Sequence, residues 1–469
     1  MDRNLPSTSG AFNSLPIELN KAIAHEFESD KDIISYRLVC RATNDAIDAD
    51  NCSFWRAKFR EKYAFKEDSS NTTLARHYQN RARQLRRGLA YDFFRGHKRR
   101  EKDVVKVLRD LIVESFQGPS ETDEYGRPHC KNHACLVHFI SNSKILLNDR
   151  RAPQPHPNEP SHVHPTLAAV KLMCSHFLFE PEGAKHDVFA IEEVQRAVYL
   201  PTNVAPIYQG PKLTMINMEW VLHCLNFFRH HMMNEDAGTL SESVDALSVT
   251  QKPSAWQEPL REGAYPLSKN WMGTYSFLEM SEIRKLRSLT PDQVGDHYFI
   301  DKNIDEGKIQ SLELDFVEDS QQLSWPTIFE NRLHSLKNTA GPDIKTQGRG
   351  KPKGVNVVDP KQNNIQFVGK GEDLDDDFNA VGWLNPLPPQ AGIHGWQRIT
   401  FMKHFMDDFD QIDQVDQDNL WAYEGVVLPG GRIILGRWWF ASDRVNFDND
   451  YNGPFILWAV DSEPIFDGE

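Results

Sequence analysis

The sequence predicts an α+β chain: a short helical module, a helical middle region and a C-terminal antiparallel β-barrel. Three observations carry this. Apolar residues recur at helical spacing from Leu15 to Tyr63. The stretch Met215–Met233 is apolar on several faces, the mark of a helix buried between other elements. Beyond Trp271 the period shortens to two, with Leu312, Leu314 and Phe316 alternating with Glu313 and Asp315. The segmentation that follows is a disordered tail over 1–12, the helical module over 13–66, a middle region over 67–262 and the barrel domain over 263–469.

The module comes first. Ser14 is placed to cap an opening helix, with Pro16 and Glu18 in its first turn, where Pro is tolerated and a carboxylate suits the positive helix end. Leu15, Leu19, Ile23 and Phe27 step by four and predict one apolar stripe. Ser29 or Asp30 caps a second helix carrying Ile34 and Leu38, and Ser53 a third carrying Trp55, Phe59 and Tyr63. Three short helices build only a small core and leave apolar side chains over, so such a module calls for a partner.

Charge and composition exclude several classes. With 469 residues the chain holds two or three domains. The net charge of −14 argues against a general nucleic-acid binder, because phosphate backbones need positive surfaces. No apolar run approaches the roughly 20 residues that span a bilayer. The six cysteines end at Cys224, which is not the distribution of a disulfide-stapled secreted protein, so a reducing compartment, cytoplasm or nucleus, is expected.

Arg76 to Lys102 carries ten Lys and Arg against Asp92 and Glu101. The run His97–Lys102 matches an import or nucleic-acid patch, but Leu85, Leu89 and Phe93 at apolar spacing favour the plainer reading, a solvated helix face. Pro165 opens a further helix and Ile191, Val194 and Val198 fit a helix face, while Gly118–Ser120 and Asn148–Pro160 read as loops. Cys130, His133, Cys135 and His138 have the paired spacing of zinc knuckles. A single residue separates the pairs, too little for the loop that lets four ligands close a tetrahedron, so ordinary buried Cys and surface His are favoured. No cofactor is expected.

In the last third, Ile365 and Phe367, then Trp421 and Tyr423, alternate as in strands. Pro429-Gly430-Gly431 marks a turn before Ile433, Leu435 and Trp439, and Phe455–Val460 forms a final strand. Many short strands between Gly, Pro and Asn turns predict a sandwich or barrel, and of these the barrel, lipocalin-like in form, is the expectation. A barrel of about eight strands is just wide enough to fill itself or to hold one small ligand. Trp271, Trp438 and Trp439 are therefore expected in the core. Arg432 and Arg437 follow a turn and offer a contact for a carboxylate or an acidic target segment, beside the plainer reading of surface arginines. The six Asp between Asp407 and Asp418 read as a solvated loop.

Two sets of motifs resemble a known family. Leu15-Pro16-Ile17-Glu18-Leu19, Asp32, Leu38-Val39-Cys40-Arg41 and Trp55-Arg56 follow the pattern of the F-box. Trp271-Met272-Gly273-Thr274-Tyr275, Pro429-Gly430-Gly431-Arg432-Ile433, Gly436-Arg437-Trp438-Trp439 and Gly453-Pro454-Phe455 are similar to motifs of a large fungal F-box protein family. The resemblance runs from about residue 13 to 460, with a fainter likeness to the barrel of a vertebrate F-box receptor that captures target C-termini. It implies that Leu15, Pro16, Ile17, Leu19, Ile33, Tyr36, Val39 and Cys40 contact a Skp adaptor, which bridges to a cullin scaffold. Asn20 and Ala24 depart from the family's larger apolar residues, an expected cost of about 1–3 kcal/mol in adaptor affinity if both lie at that interface.

The function implied is a non-catalytic substrate receptor of a Skp–cullin–F-box ubiquitin ligase, its barrel presenting an unidentified protein target. No G-x-S-x-G elbow, H-E-x-x-H or Walker loop competes with it. Two alternatives stay open: an F-box protein acting outside a ligase, and a barrel that binds a small ligand.

Overall fold

In the computed structural model, the described residues are 8–65, 68–93, 95–119, 121–122, 128–146, 163–179, 189–290, 293, 297–316, 364–374, 376–405, 419–441 and 451–461. The chain divides into two compact units, residues 1–145 with 257–259, and residues 146–256 with 260–469. The helical middle is thus shared between the units. Its first three helices pack with the N-terminal module and the rest with the barrel.

The first unit contains α1 (Thr8–Asn13), α2 (Ile17–His25), α3 (Asp30–Arg37), α4 (Arg41–Lys62), α5 (Asn71–Gly88), α6 (Arg99–Val113) and α7 (Lys131–Asn142), with the two-residue strands β1 (Glu121–Thr122) and β2 (Pro128–His129) pairing antiparallel. The expected disordered tail is corrected in part, since α1 begins within it. Asn20 Nδ2 donates to Phe12 O at 3.0 Å, and the Phe12 ring meets Tyr36 edge-on at 5.6 Å. Ser29 caps α3, accepting from Asp32 N at 3.1 Å. Ser14 does not cap α2; its hydroxyl turns back to Ala11 O, and Pro16 takes the cap position.

Alpha4 is two helical segments joined across a kink, and Ser53 begins the second. It follows a break inside α4 where Asp50, Asn51 and Cys52 all have positive φ. Three successive residues in the left-handed region are costly for side chains other than Gly, Asn and Asp. After the break, Phe54, Trp55 and Phe59 fill the core beneath α2, with Ala46 and Ile47 before it. Lys58 is buried with them and donates to His25 O at 2.9 Å and Phe27 O at 3.3 Å, closing the carbonyl end of α2.

The second unit holds α8 (Pro165–Ser175), α9 (Ile191–Val198), the short strands β3 (Tyr208–Gln209) and β4 (Met215–Ile216), α10 (Met218–Met233), α11 (Thr239–Asp245), α12 (Met280–Ser288) and α13 (Lys302–Asp305). Pro165 sits in the first turn of α8 and Asn217 caps α10, accepting from Trp220 N at 3.2 Å. Alpha10 is buried along nearly its whole length, as its apolar faces require.

The barrel is closed and has eight strands: β5 (Asn270–Tyr275), β6 (Gln310–Phe316), β7 (Ile365–Asp373), β8 (Asp376–Pro386), β9 (Gln397–Phe405), β10 (Leu420–Val427), β11 (Ile433–Phe440) and β12 (Asn452–Ala459). Each strand pairs antiparallel with the next in sequence, and β12 returns to β5, with Leu457 opposite Gly273. Such closure leaves no free edge. Beta8 and β9 were not singled out in the sequence; the remaining strands follow the alternations read there.

Alternate residues enter the barrel. Trp271, Leu312, Phe367, Phe401, Phe455 and Leu457 belong to one inner cluster. Room for Phe455 comes from Gly436 on the neighbouring β11 and Gly425 on β10 beyond it, where any Cβ would strike its ring. The turn between β10 and β11 rests on Gly430 and Gly431, both at positive φ (90° and 66°), with Leu428 N donating to Ile433 O at 2.9 Å.

Candidate functional site

On the first unit, α2 and α3 present an inverted pattern. The inner face of α2 is formed by Asn20 (1% exposed) and Ala24, whereas Leu19 is 51% exposed. The predicted stripe is therefore corrected: Leu15, Ile23 and Phe27 are half-buried and Leu19 points outward. On α3 and just beyond, Ile33 and Tyr36 are buried while Ile34, Leu38 (81% exposed) and Val39 face solvent. Ile17 is exposed too. Asn20 and Ala24, the two departures from the resembled pattern, lie inside the module. The polar one is satisfied there by Phe12 O and the Tyr36 hydroxyl.

The eight expected adaptor contacts therefore split. Pro16, Ile17, Leu19 and Val39 are exposed, Leu15 and Cys40 are half-buried, and Ile33 and Tyr36 are internal. Ile34 and Leu38 are surface residues outside that set. Their i, i+4 spacing was visible in the sequence, but which face it formed was not. Ile34 also borders an open groove of about 1,010 Å³ whose walls include Trp55, Tyr78, Leu85 and Phe139. The basic segment lies on α5 and the start of α6: Arg83, Arg86 and Arg87 are exposed, Leu85 and Leu89 are half-buried and Phe93 is buried, while Arg81 is buried against Glu114 and not solvated.

The zinc candidates do not converge. Cys130 precedes α7 and its thiol accepts from Phe116 N at 3.2 Å, while the Cys135 thiol donates to Lys62 O at 3.4 Å and burial pushes its pKa up to about 11. At ~100° per residue, Cys135 and His138 share a side of α7 while His133 lies on the other. Among the described residues, no group of three or more His, Cys, Asp or Glu is placed to hold a metal ion.

Arg432 and Arg437 are both committed internally, contrary to a target-facing role. Arg432 donates to Asp461 Oδ1 at 2.6 Å and to Ser254 Oγ at 2.8 Å. Arg437 is 1% exposed on the outer wall of β11, its guanidinium 4.9 Å from the Trp220 ring of α10 and its Nη2 3.1 Å from Leu200 O. Burial, assisted by Arg287, lowers its pKa to about 10. The helical layer outside the barrel takes Arg437, while Ser254, Ala459 and Asp461, which lie in no helix, take Arg432; sequence spacing alone showed neither. Trp271 and Trp438 point into the barrel and Trp439 is buried beside Arg437 on the outer wall.

The same barrel holds a site the sequence reading passed over. One end, where β5, β7 and β9 finish and β10 begins, opens into a cavity of about 820 Å³. Its walls combine aromatic rings, among them Tyr275, Phe277, Phe405, Trp421 and Trp438, with charged residues such as Lys302, Glu306, Asp376 and Asp377. At its floor Lys403, 2% exposed, forms an ion pair with the equally buried Asp373, and its ammonium also donates to Gln310 Oε1 at 3.1 Å. Burial lowers the Lys403 pKa against the opposing pull of Asp373, and burial first and Asp373 second raise that of Tyr275. The signal for this site was legible: Ile399, Phe401, Lys403 and Phe405 share the inward face of β9, and a charge there demands a partner. The acidic run Asp407–Asp418 lies outside the described residues, as does the Asn148–Pro160 loop.

No family model, curated protein or solved structure matches this chain.

Proposed function

We propose that the chain is a non-catalytic substrate receptor of a Skp–cullin–F-box ubiquitin ligase, its first unit held by the adaptor and its barrel recruiting a target protein. One observation carries this reading. Helices α2 and α3 turn a polar and a small residue, Asn20 and Ala24, inward while Leu19, Ile34 and Leu38 stand in solvent. Burying an exposed leucine contributes roughly 1.5–3 kcal/mol, so a fold that spends its apolar residues outside is organised for a partner. These residues lie within the stretch where the F-box resemblance places the adaptor. No chemistry is asked of the receptor: it raises the local concentration of target lysines near a charged conjugating enzyme.

A second reading, a barrel that binds a small ligand, is favoured by the cavity at its open end, which falls within the usual range of about 300–1,000 Å³ for ligand pockets. The up-and-down order of eight strands supports the lipocalin-like form expected of such a barrel. The test is affinity capture of the purified chain with the Skp adaptor and a cullin. Stoichiometric recovery of both is expected. Recovery of the adaptor without the cullin assigns the chain to F-box proteins acting outside a ligase, and recovery of neither overturns the receptor reading.

A further inference from the structure

We propose that the open end of the barrel binds an aliphatic ammonium group of the kind a lysine side chain carries. The inference concerns the barrel alone and stands whether or not the first unit binds an adaptor.

The charges at the mouth select the ligand's sign. Lys403 is neutralised by Asp373, Lys308 by Glu306, and Lys302 by Glu279 at 3.0 Å. Asp376 and Asp377, both exposed on the cavity wall at the start of β8, have no cationic partner among the described residues. The uncompensated charge facing an entering group is therefore negative.

The walls select the ligand's type. Aromatic faces attract an alkylammonium through their quadrupole while also accepting its methylene stem. The barrel already does this once: the Lys403 ammonium lies 4.1 Å from the centre of the Phe378 ring, 5.1 Å from Phe405 and 5.7 Å from Tyr275. Trp421, Trp438 and Phe277 also line the cavity and meet no cation among the described residues, Trp438 and Phe277 stacked with 12° between their planes. A bare divalent ion suits the site poorly, because no three ligating groups are assembled there among the described residues.

The experiment titrates the purified full-length chain with three fluorescently labelled pentapeptides, Gly-Ser-X-Ser-Gly, with X lysine, norleucine or glutamate. Lysine is expected to bind saturably, and norleucine and glutamate about tenfold or more weakly, the scale of a partly desolvated cation–π contact. The double variant Asp376→Asn, Asp377→Asn, and separately Trp421→Ala, should each weaken the lysine peptide about tenfold, with circular dichroism and adaptor capture unchanged. Equal or tighter binding of norleucine or glutamate, no saturable binding of lysine, or full binding by the double variant would each overturn the proposal. Loss of adaptor capture alone would count against the receptor reading and leave this one intact.

Discussion

The hydroxyl of Tyr36 points at both oxygens of Asn20, 2.9 Å from Oδ1 and 3.1 Å from the main-chain oxygen. With the Asn20 amide reaching Phe12 O, this pair ties α1, α2 and α3 together. Asn20 is thus a structural hub and not a weak spot in an interface. Replacing it with the larger apolar residue that the family pattern favours, Asn20→Leu, should destabilise the first unit by about 1–3 kcal/mol, because Phe12 O loses its donor and the Tyr36 hydroxyl keeps only the main-chain oxygen. Urea unfolding measures the loss. An Asn20→Leu chain of unchanged stability and tighter adaptor binding would return Asn20 to the interface.

Exposed and buried members of the same motif should behave oppositely. Leu19→Asp with Leu38→Asp should leave the unfolding midpoint nearly unchanged, since both side chains are in solvent, yet weaken adaptor binding by on the order of a hundredfold or more. Ile33→Ala should instead cost about 2–5 kcal/mol of stability, as a buried truncation does. Surface plasmon resonance beside thermal melts separates the two.

Within the barrel, Lys403→Met leaves Asp373 buried without its cation. The expected cost is about 3–5 kcal/mol. Adding Asp373→Asn should restore most of it, because no uncompensated charge remains. A double-mutant cycle on unfolding free energies reads the coupling, and strict additivity would show that the two groups do not depend on each other.

The second unit should lose stability in mild acid. Burial holds His176, His223 and His231 at about 3, 4 and 3, below the ordinary value of 6.5. A histidine depressed in the folded state contributes stability above its unfolded pKa and loses it as pH falls, about 1.4 kcal/mol per pH unit for each group. Asp301 acts the other way: burial pushes it up to about 6, so its contribution is full below 3.8 and is lost as pH rises through 6. Between pH 6 and 4.5 three histidines outweigh one aspartate. His176→Phe should therefore flatten the fall in unfolding free energy by about 1.4 kcal/mol per pH unit, and an unchanged slope would show that His176 is not the group titrating.

Much of this molecule was determined by sequence pattern alone. Helices α8, α9 and α10, the turn at Gly430-Gly431 and most barrel strands follow from period and turn chemistry, because those signals are local: spacing of 3.6 or 2, a proline at a helix start, glycines at positive φ. Tertiary structure decided what periodicity cannot, namely which of two apolar faces goes inside. Leu15, Leu19, Ile23 and Phe27 made the better stripe, yet Asn20 and Ala24 won the inner position once Tyr36 and Phe12 supplied Asn20 with partners. Arg437 looked available on a strand and is covered by α10, an element more than 200 residues earlier in the chain. Lys403 on β9 and Asp373 on β7 are 30 residues apart and meet across the inside of the barrel, past the intervening β8. The cavity above them exists because inward side chains fill one end of the barrel and leave the other open, a balance set by the whole ring of strands.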